Sequence, residues 1–378
     1  MIITILIFVA VLSLLVFFHE AGHFFAARKL GIKVDEFGLG FPPRFFCFYK
    51  SAPKKWKIKF GRKKIEDNID VIYSINSIPI GGFVKIKGEN GQDAQDSDSF
   101  AAQKTWKRAI VISAGVFMNI VLAWILISIG LMFGSYQSLT DQSVLSKNVK
   151  TSEERVRVFQ ISENSPAAEA GLKMSDAILK VNGVSVASES DVQNFINESG
   201  DEAVVTIERL GETKELVIKP EFNEELNRKT IGIAISYTAF IKYPWYLALV
   251  EGVKVTGQFL WLIIYTFFDF LKGLVVGQPV SVEVAGPVGI ANLTGQMARM
   301  GFIYLIQFTA LLSLNLAVIN FLPFPALDGG RLVFLLIEKI KGSPVKQEVE
   351  AVFHNVGFLL LMLLIVWVTF KDIVGLFN

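Results

Sequence analysis

The stretch IITILIFVAVLSLLVFFHEAGHFFAARK, residues 2–29, decides how this chain folds. From Ile2 to Phe18 it is apolar except for Thr4 and Ser13, and Phe24 to Ala27 resume the run past a polar interruption. It lacks the basic leader and small-x-small cleavage site of a secretory signal, and it carries His19, Glu20 and His23 where such a signal is apolar. The stretch is therefore predicted to be a retained transmembrane helix, in which ionisable groups are costly and mark function. On a helix, His19 and His23 lie one turn apart on the same face, so both imidazoles reach one ion. His19-Glu20-Ala21-Gly22-His23 is the H-E-x-x-H pattern, two zinc ligands with a glutamate between them as general base. Zinc there would bring the pKa of a bound water toward about 7. Glu20 would take the proton and later pass it to the leaving amine.

The rest of the composition agrees with a membrane setting. Of 378 residues, 52% are hydrophobic, 32 are Phe and only 19% are charged, and the mean hydropathy is +0.47. That is more apolar side chain than a soluble interior of this size can hold. Further spans are expected at about Ala109–Phe133, Phe302–Leu322 and Val356–Phe370, each able to cross roughly 30 Å of hydrocarbon. A net charge of +2 without a basic-aromatic stretch predicts no nucleic-acid partner. Cys47 is the single cysteine, which excludes an intrachain disulfide and a cysteine metal cage.

Basic residues set the orientation. Arg28, Lys29, Lys33, Arg44, Lys50, Lys54, Lys55, Lys57, Lys59, Arg62, Lys63 and Lys64 follow the first span, and Lys104, Lys107 and Arg108 precede the second. Arg331, Lys339, Lys341 and Lys346 join the third and fourth. Both loops should be cytoplasmic. The segment from about Gly134 to Gly301 is then extracytoplasmic. Tyr243–Val276 reads either as a fifth span or as an amphipathic helix at the outer interface, since Glu251, Lys254, Asp269 and Lys272 interrupt it.

A catalytic zinc takes three protein ligands and keeps one position open. The third candidate is Asp328 in NFLPFPALDGG, residues 320–330. Pro323 and Pro325 must open or end the third span, and irregular backbone at membrane depth is tolerated only beside protein or a water-filled cavity. The alternative for Asp328 is an N-cap for a helix over Arg331–Ile340. His354, the remaining histidine, reads as an interfacial residue. Depth tests the pairing: some 18 residues precede His19, about 27 Å of helix, which places it near the cytoplasmic end of the first span. Asp328 reaches that side only if one crossing separates the motifs, which favours the interfacial reading of Tyr243–Val276.

Residues 150–237 change character, with alternating strands such as Val156–Ile161 and Val204–Arg209. SPAAEAGL, residues 165–172, followed by DAILKVNG, residues 176–183, looks like a PDZ domain. Such domains bind an extended peptide along a strand edge; here Ile231, Gly232 and Ile233 would border the groove. A module that only blocks access is the other reading. On the inner side, Ile78–Ile86 is either a hairpin dipping into the bilayer or an ordinary surface hairpin, and a free edge there would hold substrate extended. The predicted architecture is a multi-pass α-helical membrane protein with four transmembrane helices, an inserted extracytoplasmic PDZ-like α+β domain and a membrane-associated β-hairpin. Its segments are 1–135 with the first two spans and basic loop, 150–237 PDZ-like, 238–300 interfacial helix and linker, and 301–378 with the last two spans.

Taken together, HEAGH at 19–23, FGLGFPP at 37–43, IPIGGFVKIKGE at 78–89, Gly115 to Asn119, the PDZ-like segment, AGPVGI at 285–290 and NFLPFPALDGG at 320–330 resemble the site-2 protease family of intramembrane metalloproteases. Within it they are similar to bacterial regulators of the sigma-E type, in a form with one PDZ-like domain instead of two. The resemblance implies one Zn²⁺ held by His19, His23 and Asp328, with Glu20 as the base. It also implies substrate positioning by Asn320 and by Asn315, for which helix-helix packing is the other reading, while Gly81, Gly82 and Phe83 are the positioning residues of the inner apolar run. The implied substrate is a single-span membrane protein, such as an anti-sigma factor already shortened outside by another protease, or a remnant signal peptide. The setting implied is the bacterial cytoplasmic membrane. An ion transporter would show polar residues along several spans or an inverted repeat, and a silent PDZ scaffold would have no need of Glu20.

Overall fold

The computed structural model describes residues 2–51, 55–61, 69–91, 93–138, 150–162, 165–209, 211–224, 228–277 and 285–375. Lys54, Arg62, Lys63 and Lys64 of the predicted basic loop lie outside them. In chain order the elements begin with α1 (Ile2–Lys29), β1 (Val34–Ser51), β2 (Lys55–Phe60), β3 (Ile72–Ile86) and α2 (Thr105–Phe133). Next come β4 (Ser135–Ser138), β5 (Lys150–Ile161), α3 (Pro166–Glu169), β6 (Ala177–Val181), β7 (Val184–Ser185) and α4 (Glu189–Asn197). They continue with β8 (Ala203–Arg209), β9 (Glu212–Ile218), β10 (Glu221–Asn223), β11 (Arg228–Thr230) and β12 (Ile233–Lys242). The chain closes with α5 (Trp245–Val276), α6 (Pro287–Met300), α7 (Phe302–Phe321), α8 (Asp328–Lys341) and α9 (Gln347–Gly375).

Among the described residues, five helices, α1, α2, α5, α7 and α9, are long and apolar enough to cross a membrane. Four contain the stretches expected to span. The fifth, α5, is the segment read two ways above, and its hydropathy of 1.6 is the lowest of the five. Helix α6 was expected only as linker. The chain divides into one unit of residues 1–129 and 249–378 and a second of residues 130–248.

In the first unit, Leu15 on α1 and Leu122 on α2 pack together, and Leu305 on α7 joins them. Toward the other end of α1, Phe24 and Ala27 pack with Val34, Ile86, Val111 and Leu335. The sheet order is β2-β1-β3. Leu39 lies opposite both Gly82 and Ile75, so β3 doubles back around β1. Gly81, with φ +77, stands in this bend. The apolar run Ile78–Ile86 is thus the second arm of a bent strand whose first arm begins at Ile72.

The second unit is built around a sheet ordered β4-β12-β5-β6-β8-β9, with β7 against β6 and a separate β10-β11 ribbon. Inward residues of the alternating strands (Val156, Val158, Ile178, Val205, Ile207 and Ile218) bury against Val192 and Ile196 of α4. Local signals set its helices. Ser188 and Asp191 form a reciprocal capping box on α4, and Ser165 caps α3.

Candidate metal centre

His19 and His23 lie on an unbroken α1, so their one-turn spacing alone brings the rings together, with Nε2 atoms 3.2 Å apart. The third donor arrives from another element. Helix α7 ends at Phe321, and the chain turns through Pro323 and Pro325 before α8 starts at Asp328. Leu327 occupies the cap position without a side-chain hydrogen bond, so Asp328 is the first residue of the helix and not its N-cap. Its Oδ2 stands 3.2 Å from His19 Nε2 and 3.4 Å from His23 Nε2. The three side chains form a group able to hold a metal ion, with one donor atom from each residue and all donors within 4.8 Å of one another.

The geometry fits zinc. Two ligands of a tetrahedral ion with bonds of about 2.0–2.1 Å stand about 3.3–3.4 Å apart, close to the three spacings found here. The donor set, two imidazoles and a carboxylate, is that of catalytic zinc sites. Asp328 Oδ2 is buried without a hydrogen-bond partner. Such an atom is costly unless something else satisfies it, and a cation at the point where the three donors converge would.

Groups behind the three donors fix their orientation. His23 Nδ1 donates to the Val111 carbonyl at 2.8 Å, which leaves Nε2 with its lone pair toward the centre. Helices α1 and α2 meet where Gly22 faces Ala114 and Gly115 faces the two imidazoles. A Cβ on Gly115 would stand 2.8 Å from His19 Cε1 and nearer still to His23 Nε2. Asp328 is steadied from α9: His354 Nδ1 accepts the Ala326 N–H at 2.9 Å, on the turn that leads into the ligand. His354 is thus not merely interfacial. It holds the turn that leads into Asp328 and lines the cavity beside the three donors.

That cavity, about 410 Å³, is bordered by His19, Glu20, His23 and Asp328, and by Phe83 and Val84 of β3. Glu20 lines this cavity beside the three donors without belonging to their group. A Cβ on Gly82 would lie 3.7 Å from Glu20 Cγ, which puts the β3 backbone next to the glutamate. Gly81 is in the bend before it. Asn315 and Asn320 of α7 are not among the cavity-lining residues, and the Asn315 amide donates to Leu311 O one turn back. In the second unit, Ile231, Gly232 and Ile233 border a separate cavity of about 240 Å³ with Val192 and Ile196 of α4.

Residues 7–364 match the family model described as peptidase family M50. A Bacillus subtilis protein named regulator of sigma-W protease RasP is 29% identical, with 99% of each chain covered. A candidate zinc metalloprotease of Clostridium perfringens is 35% identical over 96% of each chain. Among solved structures, the PDZ domain of an SdrC-like protein from Listeria monocytogenes aligns at 22% identity and TM-score 0.21, covering 23% of this chain and 92% of that one. The chain belongs to peptidase family M50, the site-2 protease type of membrane-embedded zinc metalloprotease.

Proposed function

We propose that His19, His23 and Asp328 hold a single zinc ion and that Glu20 is the general base for hydrolysis of peptide bonds in single-span membrane proteins. The observation that carries this is the convergence of three donors on one point, with Glu20 lining the cavity beside them. Zinc supplies a Lewis acid there, which acidifies water and polarises a carbonyl. Glu20 accepts the proton and returns it to the departing nitrogen, so one carboxylate serves both halves of the reaction. The arm of β3 through Gly82 and Phe83 holds the substrate as an added strand, because a helical peptide bond is shielded by its own backbone. Asn320 and Asn315 steady the substrate backbone as it approaches from α7.

The substrate class is an anti-sigma factor already shortened by another protease, and remnant signal peptides. The name of the Bacillus subtilis relative supports the first. The centre lies toward the cytoplasmic side of a bacterial cytoplasmic membrane, with the second unit, PDZ-like and peptide-binding along Ile231–Ile233, outside. Helices α1, α2, α7 and α9 span. Helix α5, with its Glu251–Lys254 pair at 3.1 Å and its lower hydropathy, lies at the outer interface.

Wild type and Glu20→Gln, tested on a truncated single-span substrate in liposomes with zinc measured in both, decide the matter. Cleavage by wild type alone, with zinc retained by the variant, is expected. Cleavage by both sinks the role of Glu20.

A further inference from the structure

Resting on the metal reading above, we propose that Asn119 is the positioning residue for His19: its side-chain oxygen accepts the Nδ1 proton and so leaves Nε2 as a ligand. A histidine binds a metal through a nitrogen that carries no proton, so the other nitrogen must carry it and needs an acceptor. His23 has one in the Val111 carbonyl, a backbone group of α2. His19 stands one turn earlier on α1, and in place of a carbonyl it meets the side chain of Asn119, two turns further along α2.

Asn119 is fully buried in a span whose only other polar residues after Arg108 are Ser113 and Ser128, and its amide nitrogen stands 3.3 Å from His19 Nδ1. With that end toward the ring, the amide donates to Nδ1. The ring proton then sits on Nε2, which removes His19 as a donor to any ion. Asn119 Oδ1, meanwhile, is buried with no partner. A half-turn of the amide brings Oδ1 to Nδ1 and reverses the proton's place. The turn breaks no hydrogen bond of Oδ1. The backbone of Asn119 is held independently, since its carbonyl accepts the Ser313 hydroxyl of α7 at 2.8 Å. Two helices thus fix where the amide stands, and the ion decides which way it faces.

The test is zinc affinity of the full-length protein in detergent, by competition with a chelator, for wild type, Asn119→Leu and Asn119→Asp. Leu matches the volume and removes the acceptor, and should weaken zinc binding by about 10–100-fold. Asp keeps an acceptor in the same place and should bind zinc as wild type does, a rescue that a packing role would not predict. Wild-type affinity in Asn119→Leu overturns the proposal, as does an equal loss in both variants. Should Asn119→Leu not fold, Asn119→Asp decides alone, and a loss of about tenfold or more overturns it. A wild-type protein that holds no zinc overturns the metal reading itself, a separable result.

Discussion

The two units of this chain solve the same problem with opposite placements of polar and apolar groups. In residues 130–248 the interior is aliphatic, and polar side chains work at the boundary as caps and ion pairs. In the helical unit many large apolar side chains point outward: Leu359, Leu363 and Trp367 of α9 are each about 60% exposed, while His19, Asn119 and Ser313 are buried. The difference is one of solvent. Lipid gains nothing from hiding a leucine, so that unit is held by close backbone approach and by hydrogen bonds between helices. Its caps follow suit. Neither α7 nor α8 has a side-chain N-cap, and the first amides of α6 are taken by Asp372, a residue of α9.

If the contrast is real, each unit can be damaged without the other. The largest effect is expected from Gly115→Val, which drives side-chain atoms into both imidazoles. Zinc affinity should fall by about 100-fold or more and cleavage should disappear, while amide exchange across β5–β12 stays as in wild type. Loss of protection in those strands would show that the units are coupled.

Asp176→Ala is the reciprocal damage. Asp176 is buried and takes two bonds from Arg209, at 2.7 and 2.6 Å, and one from the Lys173 amide. Leaving that guanidinium without its partner should destabilise the second unit by about 3 kcal/mol, read as faster exchange there with zinc content unchanged. Zinc lost along with the protection would break the comparison.

The smallest effect sharpens it. Ser188→Ala removes one half of a capping box and should cost about 1 kcal/mol, confined to α4 and its neighbours. The Asp191 carboxyl is held below its usual range by the Ala187 amide and the Ser188 side chain. Its share of the stability is therefore full above the ordinary carboxylate pKa and fades as pH falls through the lowered one. A Ser188→Ala protein should lose part of that acid sensitivity, visible as a flatter pH dependence of exchange in α4.

What the sequence made readable follows the same divide. The two histidines share a face by spacing alone, and the Pro and Gly residues around Asp328 announce a break in a span, so the three side chains that converge could be named in advance. Val111, Asn119 and His354 could not be assigned roles, since each acts across helices from a ligand or its turn. Helices that are apolar all round carry no periodicity to say which face meets which neighbour. For the same reason α5 reads as span or interface. The long β1 was hidden by Pro42-Pro43, a pair that argues against a strand but sits where β1 is most irregular. In the second unit, alternation gave β5 and β8 directly, because there one face does differ from the other.

Splitting the three donors between the first helix and the eighth also orders events in time. His23 and Asp328 are about three hundred residues apart, which at roughly 5–20 residues per second is between about 15 and 60 s of synthesis. Over that interval a growing chain carries His19, Glu20 and His23 without Asp328, and so lacks the third donor of the proposed centre. On the proposed ligand set, a copy that stops short of Asp328 cannot complete the centre and should not cleave.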